Sequence, residues 1–122
     1  MAQIKSYTDL EQSKKLAEIL PLESADMCWY IDDNNIPTHT PDNGFYRQDK
    51  NHLPCWSLAA LLELLPKRLQ IEDNVCELSV YLYGLYYWNI TNGNPCFESK
   101  YKDNLVDACY EMIIRLHELN LL

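Results

Sequence analysis

Hydrophobic residues recur along this chain with two spacings, which predict helices in three places and strands between them. Apolar residues at intervals of three and four between positions 9 and 20 form one face of a helix. Thr8 and Glu11 have the spacing of a capping box, and Pro21 is a natural stop. We therefore predict a first helix over residues 9–20.

The densest apolar stretch covers residues 53–67. Ser57 is a good N-cap residue, the residues after it are strong helix formers, and Pro66 ends a helix at Leu65. Because the leucines are too dense for one exposed face, we expect a central core helix that is buried on nearly every side. The leucines predicted to be buried there are Leu58, Leu61, Leu62 and Leu65.

A third helix is predicted to begin after Asn104. Apolar residues repeat through the C-terminal segment at three- and four-residue intervals and form a wide stripe, in which Met112 and Leu116 should be buried. Asn104 caps such a helix well, because its side chain accepts from a free backbone N–H of the first turn.

Alternating apolar and polar residues predict the strands. The clearest alternation covers residues 76–83, and Asn92-Gly93 is a turn signal that ends the strand before it. Residues 32–43 are polar and contain two prolines, which indicates an exposed connection. The predicted strands are residues 27–31, 44–47, 76–83 and 85–90, with a possible edge strand at 95–101.

Together these elements predict an α+β fold with the order α-β-β-α-β-β-α. Strands joined by short turns pair antiparallel, so the helices beginning near Asp9, Ser57 and Asn104 should pack on one face of an antiparallel sheet of about four strands. With 122 residues, of which 48% are hydrophobic, residues 1–122 fit a single globular domain.

Charge narrows the classes of partner. Ten Lys and Arg residues against 18 Asp and Glu residues give a formal net charge of -8, which repels phosphate backbones and anionic membranes. We therefore expect no nucleic-acid and no membrane partner. The chain has no secretory pattern and no apolar run near the ~20 residues that cross a bilayer, so we predict a cytoplasmic protein. Its five cysteines are odd in number and widely spaced, which favours reduced thiols.

Candidate catalytic chemistry is sparse. Cys55-Trp56, at the entrance to the predicted central helix, looks slightly like the nucleophile position of papain-type enzymes, with His52 close in sequence and His117 remote. No glycine precedes Cys55, and no Asn or Asp is placed to orient His117. A buried structural cysteine is the preferred interpretation, and a cysteine-dependent hydrolase at Cys55 is a remote alternative.

Metal and acid-base chemistry also lack support in the sequence. His39, His52 and His117 are far apart, and no two cysteines have the short spacing of zinc ligands. Paired acids such as Asp32-Asp33 are ordinary solvated loop residues. We predict no catalytic residues, no metal site, no cofactor and a non-enzymatic function.

Tyrosine is the feature that suggests a function. The chain has nine tyrosines, and Tyr30, Tyr81, Tyr83 and Tyr87 fall on strand positions opposite or beside the apolar ones. If they share an exposed sheet face, they suit binding to a protein partner or self-association, because tyrosine combines apolar area with a hydroxyl and little entropy to lose. The alternative is that they merely pack at the sheet margin.

Three segments resemble a known group of proteins: SYTDLEQSKKLAEILPLESADM, LPCWSLAALLELLP and DNLVDACYEMIIRLHEL. They are similar to small uncharacterised proteins encoded in prophages and mobile elements of gut Bacteroidetes. The resemblance implies a cytosolic accessory protein of a mobile element and implies no site residues. An alternative function is an acidic DNA mimic that inhibits a DNA-processing protein, although the acids are dispersed along the chain.

Overall fold

The computed structural model describes residues 5–44, 49–81, 84–99 and 103–122 and confirms the α+β class. The described helices are α1 (Leu10–Ile19), α2 (Leu58–Leu64) and α3 (Leu105–Glu118). A three-residue 3-10 turn covers Leu22–Ser24. The described strands are β1 (Met27–Ile31), β2 (Pro37–Asp42), β3 (His52–Cys55), β4 (Arg68–Ile71), β5 (Asn74–Tyr81), β6 (Gly84–Asn89) and β7 (Pro95–Ser99).

The strands form two antiparallel sheets instead of the single predicted one. One sheet has the order β2-β1-β3 and the other β4-β5-β6-β7. The predicted order α-β-β-α-β-β-α is therefore wrong, since three of the described strands precede α2 and four follow it. Helix α3 packs on β6 and β7, α2 packs on α3, and α1 packs on β3 and α3. The helices are thus shared between the sheets and do not form one layer on one sheet face.

Helix α1 begins one residue later than predicted and uses a different cap. The Asp9 carboxylate accepts from the Gln12 N–H at 2.8 Å, and the Gln12 side chain accepts from the Asp9 N–H at 3.1 Å. This is a capping box, but it does not involve Thr8 and Glu11 as we predicted. Thr8 is fully buried, and its hydroxyl lies 2.7 Å from that of Ser13.

The three-stranded sheet contains a strand where the sequence indicated a loop. Residues 37–42 pair with β1 although they include Pro37 and Pro41. Prolines are tolerated on an edge strand, where an N–H can be missing without breaking the sheet. The strand predicted at residues 44–47 lies almost entirely outside the described residues, which resume at Asp49.

The central segment is divided between a strand and a short helix. Residues 52–55 form β3, and only residues 58–64 are helical. The Ser57 cap is confirmed: its hydroxyl accepts from the Ala60 N–H at 3.2 Å. Leu61 and Leu65 are buried as predicted, but Leu58 and Leu62 are only partly buried. The prediction of a helix buried on nearly every side is therefore wrong, because only one of the seven residues of α2, Leu61, is fully buried.

Helix α3 is the centre of the core, and its prediction is confirmed. Asn104 caps it by accepting from the Asp107 N–H at 2.8 Å. Met112 and Leu116 are buried, as are four further residues of the helix that contact the other helices and the four-stranded sheet. Those four residues are Val106, Ala108, Cys109 and Ile113.

A disulfide braces the four-stranded sheet. Cys76 of β5 is bonded to Cys96 of β7, and these strands are separated in the sheet by β6. The prediction that all five cysteines are reduced is therefore wrong for this pair. Cys28, Cys55 and Cys109 are free, buried thiols, as expected.

Asp107 joins the N-terminal ends of α1 and α3. Its carboxylate accepts from Lys5 Nζ at 2.7 Å, Gln12 Nε2 at 2.8 Å and Asn104 Nδ2 at 2.9 Å. Burial opposes ionisation of this carboxyl, but the hydrogen bonds and the Lys5 charge outweigh it, and the pKa of Asp107 lies below its ordinary value. Ionisation of the Asp107 carboxyl therefore makes the stability of the folded protein depend on pH.

We expect Asp107→Asn to lower the free energy of unfolding at pH 7 by about 1 kcal/mol. Because the pKa is lower in the folded state, the stabilisation is present above the unfolded-chain pKa of about 3.9 and is lost as the pH falls through the folded-state pKa. Urea titration between neutral pH and pH 2 should show a weaker acid dependence in the variant. Asp73→Asn, in the exposed turn before β5, is the matched control. An unchanged acid dependence in Asp107→Asn would contradict the assignment.

Candidate functional site

The four-stranded sheet has one face on the helices and one face turned away from them. On β6, Leu85 and Tyr87 are fully buried on the side where α3 packs. Successive side chains of a strand point to opposite faces, so Tyr86 and Trp88 stand on the other side, where they are half-buried. We call the surface formed by Tyr81, Tyr86 and Trp88 the outer aromatic face.

The three rings of the outer aromatic face form a row in which Tyr86 contacts both Tyr81 and Trp88. Tyr81 meets Tyr86 edge to face, with ring centroids 5.1 Å apart and planes at 90°. Tyr86 stacks on Trp88 at 5.2 Å with planes at 22°. Such pairs are worth about 0.5–1.5 kcal/mol beyond the burial of their area, so the rings hold each other in place. Tyr81 still exposes 51% of its surface, which leaves aromatic area for a partner.

Charged residues border these rings on the neighbouring strands. Glu98 of β7 is directly across from Tyr86, and Glu77 of β5 is directly across from Trp88. Directly opposed residues of antiparallel strands stand on the same sheet face. Arg68 of β4 lies across from Glu77 in turn, with its Nη2 2.9 Å from the Glu77 Oε1. Among the described residues, the face is therefore aromatic at its centre and carries two acids and one base at its margin.

The predicted binding tyrosines do not share one surface. Tyr81 is on the outer aromatic face, and Tyr83 lies outside the described residues. Tyr87 is fully buried, its hydroxyl donates to the Pro66 carbonyl oxygen at 2.6 Å, and burial raises its pKa. The expectation that Tyr87 shares an exposed face with Tyr81 is wrong, because the register turns it toward α3. Tyr30 belongs to the other sheet.

Sequence reasoning missed Tyr86 and Trp88. Residues 85–89 have the sequence LYYWN, so both alternating sets of side chains contain aromatic residues. The pattern therefore does not show which set faces the core. The structure fixes the phase by pairing Gly84 with Tyr81. Gly84, as the first residue of β6 and the partner of Tyr81, was the signal that could have assigned Tyr86 to the face of Tyr81.

Tyr30 is the centre of a second cluster, on the three-stranded sheet. His39 of β2 stacks on its ring at 4.3 Å, and the ring of His52 of β3 approaches edge-on at 5.3 Å. His39 and His52, which are 13 positions apart in the sequence, thus lie on the two strands that flank β1, and each contacts Tyr30. The Tyr30 hydroxyl donates to Asp42 Oδ1 at 2.8 Å, which lowers the pKa of that carboxyl.

Local hydrogen bonds hold the second cluster in place. His52 Nδ1 lies 2.7 Å from Asp49 Oδ1, and His39 Nδ1 lies 3.0 Å from the Thr38 hydroxyl. A Cβ at position 44 would collide with the Tyr30 hydroxyl, so a larger residue there would require the Tyr30 side chain to shift. The second cluster is therefore a hydrogen-bonded aromatic patch that extends across β2, β1 and β3.

Cys55 lies in an environment that suppresses thiolate formation. It is fully buried in β3, two residues before the Ser57 cap, and its Sγ lies 3.5 Å from the Thr8 carbonyl oxygen. Burial raises the pKa of Cys55 to about 11, despite hydrogen bonds from Thr8 and Ser13 that act in the opposite direction. A catalytic cysteine needs the reverse, which is an accessible thiol with a depressed pKa. The arrangement is that of a packing residue.

The described residues contain a small open cavity but no candidate cluster of metal ligands. No group of three or more His, Cys, Asp or Glu side chains among them is placed to hold a metal ion. A cavity of about 200 Å³ lies beside β7, where Arg115 sits 5.1 Å over the Phe97 ring. This volume is below the roughly 300 Å³ at which small-molecule pockets begin.

The described helices are too short or too polar to cross a bilayer. Comparison of the chain with protein-family models, curated proteins and solved structures finds no match. The function is therefore argued from the two aromatic surfaces. The outer aromatic face consists of two tyrosines and a tryptophan, whereas the second cluster consists of one tyrosine and two histidines.

Proposed function

We propose that this protein is a non-enzymatic interaction module that binds another protein through its outer aromatic face. The observation that carries the proposal is the contact of three rings, Tyr81, Tyr86 and Trp88, on the sheet face opposite the core. Tyrosine and tryptophan are enriched at the centres of protein interfaces, where they supply large contact area at a small entropic cost.

The arrangement of the rings supports binding more than simple packing at a sheet margin. Tyr81 is 51% exposed at the end of β5, so much of its ring area remains accessible to a partner. Because the rings already contact each other, a partner would order few side chains on binding, which lowers the entropic cost. The resemblance to proteins of mobile elements agrees with an accessory role, in which such a module acts through its partner.

Site-specific cross-linking tests the proposal in the native host. A photoreactive phenylalanine analogue at Tyr81 should give a covalent adduct with another protein. The same analogue at Leu119 is the matched control, because Leu119 is 49% exposed but lies at the end of α3, away from the outer aromatic face. Equal adducts from both positions, or none from Tyr81, would show that the interface lies elsewhere.

Substitution of the rings gives the quantitative prediction. The double variant Tyr81→Ser with Tyr86→Ser should bind the cross-linked partner at least about tenfold more weakly, because two interface tyrosines together are worth well over 1.4 kcal/mol. Tyr81→Phe with Tyr86→Phe keeps the rings and should retain most of the affinity, which isothermal titration calorimetry measures. A double serine variant that stays folded and binds like the wild type contradicts the proposal.

A further inference from the structure

We propose that the Cys76–Cys96 disulfide is an exchangeable bond and that Cys96 is a modification site, at which small thiols of the glutathione class form a mixed disulfide. The two joined residues are unequally buried: Cys76 is fully buried, whereas Cys96 is half-buried and follows the exposed residues 90–95. A thiol from solution therefore meets the Cys96 sulfur first. Cys76 lies opposite the buried Asn89, on the core side of the sheet, so this chemistry does not depend on binding at the outer aromatic face.

A β-bulge sets Cys96 apart from the regular pairing of β7. Tyr87 and Trp88 are consecutive on β6, but their partners on β7 are two positions apart, at residues 97 and 95. Cys96 is therefore the extra residue of the bulge. Bulges bend a strand and redirect a side chain. This one allows Cys96 to bond to a residue of β5 although β6 separates the two strands in the sheet.

The direction of attack also selects the Cys96 sulfur. In thiol–disulfide exchange the thiolate approaches one sulfur from the side away from the other sulfur, so access on that side decides which is attacked. For Cys96 that side is the edge of the described sheet, because β7 is its last strand and Cys76 lies inward on β5. For Cys76 it is the side of β4, where the directly opposed Leu69 is 5% exposed. Opposed residues stand on the same sheet face, so Leu69 blocks this approach.

The cavity beside β7 gives a small thiol room at Cys96. It measures about 200 Å³ and is lined by Cys96, its strand neighbours Pro95, Phe97 and Glu98, and Arg115 of α3. One water molecule occupies roughly 30 Å³ in the liquid, so the cavity holds the few atoms next to the sulfur of a small thiol. The rest of such a molecule stays in solvent. A cavity too small for a whole ligand is therefore large enough for exchange.

The exchange needs only small thiols as co-reactants. The thiolate of the first donates an electron pair to the Cys96 sulfur, the Cys76–Cys96 bond breaks, and its electron pair leaves on the Cys76 sulfur. Because burial disfavours a thiolate, the Cys76 sulfur takes up the proton that the small thiol lost. A second small thiol attacks the small-molecule sulfur of the mixed disulfide and releases the Cys96 thiol. Two small thiols are thereby oxidised to a disulfide, and the protein disulfide is reduced to two thiols.

Acid trapping on the wild-type protein tests this assignment. The oxidised full chain is mixed with 2-mercaptoethanol under native conditions, acid stops the exchange by protonating the thiolates, and peptide mass spectrometry locates the adduct. We expect at least about ten mixed disulfides on Cys96 for each one on Cys76, and a rate of bond opening proportional to the thiol concentration. Equal or larger amounts on Cys76 overturn the proposal. So does a bond that resists the thiol in the folded protein, or a rate that levels off because the chain must unfold first.

Two single variants make the adduct stable, because each lacks the second thiol that would displace it. Oxidised glutathione should modify Cys96 in the Cys76→Ala variant at least about tenfold faster than it modifies Cys76 in the Cys96→Ala variant. The buried thiols Cys28, Cys55 and Cys109 are present in both variants and report unfolding, since they react only when the fold opens. Equal modification of the two sites, or modification of neither, while these three stay unmodified overturns the proposal. If the three react as well, the variant has unfolded and the wild-type measurement decides.

Discussion

Replacing Leu61 by alanine should lower the free energy of unfolding by about 2–5 kcal/mol, a large part of the stability of a domain this size. Leu61 is the fully buried residue of α2, and it belongs to the core cluster that also contains Leu65 and Met112. Truncation removes apolar contacts and leaves a cavity that the neighbouring helices fill only in part. The lost contacts and the cavity both lower the free energy of unfolding.

Leu62 is the matched control for this experiment. It is the next residue of the same helix, has the same helix propensity and is only partly buried. Leu62→Ala should therefore cost clearly less than Leu61→Ala in a denaturant titration monitored by circular dichroism. Equal costs would mean that the orientation of α2 on α3 differs from the one described, whereas a larger cost for Leu62 would favour the originally predicted helix with leucines buried all round.

The comparison of Leu61 and Leu62 also shows what hydrophobic pattern can predict. The long, regular stripe of α3 could be assigned because fourteen residues repeat it and Asn104 caps it. The short α2 is only seven residues long, and its leucines spread over about half of the helix circumference. A dense apolar segment specifies burial somewhere, but its buried side is decided by what packs on it, which is tertiary information.

The missed strands have physical reasons as well. Residues 37–42 of β2 are exposed except Pro41, so no alternation marks them, and they are held by pairing to β1 at a sheet edge. Residues 68–71 of β4 are a four-residue edge strand directly after the proline stop of α2, too short for a period to stand out. Both strands depend on a neighbour that supplies hydrogen bonds, a contribution that a local pattern does not contain.

The same limit applies to the candidate site. Sequence reasoning identified aromatic residues on strands as the functional feature and named Tyr81, which the structure places on the outer face. It chose Tyr87 over Tyr86 because the aromatic run on β6 is apolar in both phases, and only the pairing of Gly84 with Tyr81 decides between them. The sequence could predict that aromatic residues form the site, whereas which of them share one sheet face depended on the strand register.

The disulfide between Cys76 and Cys96 gives the second large expected effect. The bond joins residues separated by 20 positions in the chain. Closing a loop of that length removes conformational freedom from the unfolded chain, which the chain-entropy account places at about 3 kcal/mol. We therefore expect a reducing agent to lower the free energy of unfolding of the wild-type protein by about that amount, and to leave a Cys76→Ala, Cys96→Ser double variant unchanged.

Thiol counting in denaturant checks this expectation directly. Of the five cysteines, Cys28, Cys55 and Cys109 are free, so unreduced protein should show three reactive thiols and reduced protein five. Rapid alkylation of thiols in intact host cells tests the compartment in which the protein is found. Disulfide bonds persist in oxidising compartments and are rare in a reducing cytosol. Trapping of all five thiols in cells would place the protein in a reducing compartment, as predicted from the sequence. Trapping of three would mean that β7, which carries Glu98 beside the outer aromatic face, is held to β5 by a covalent bond while the protein functions.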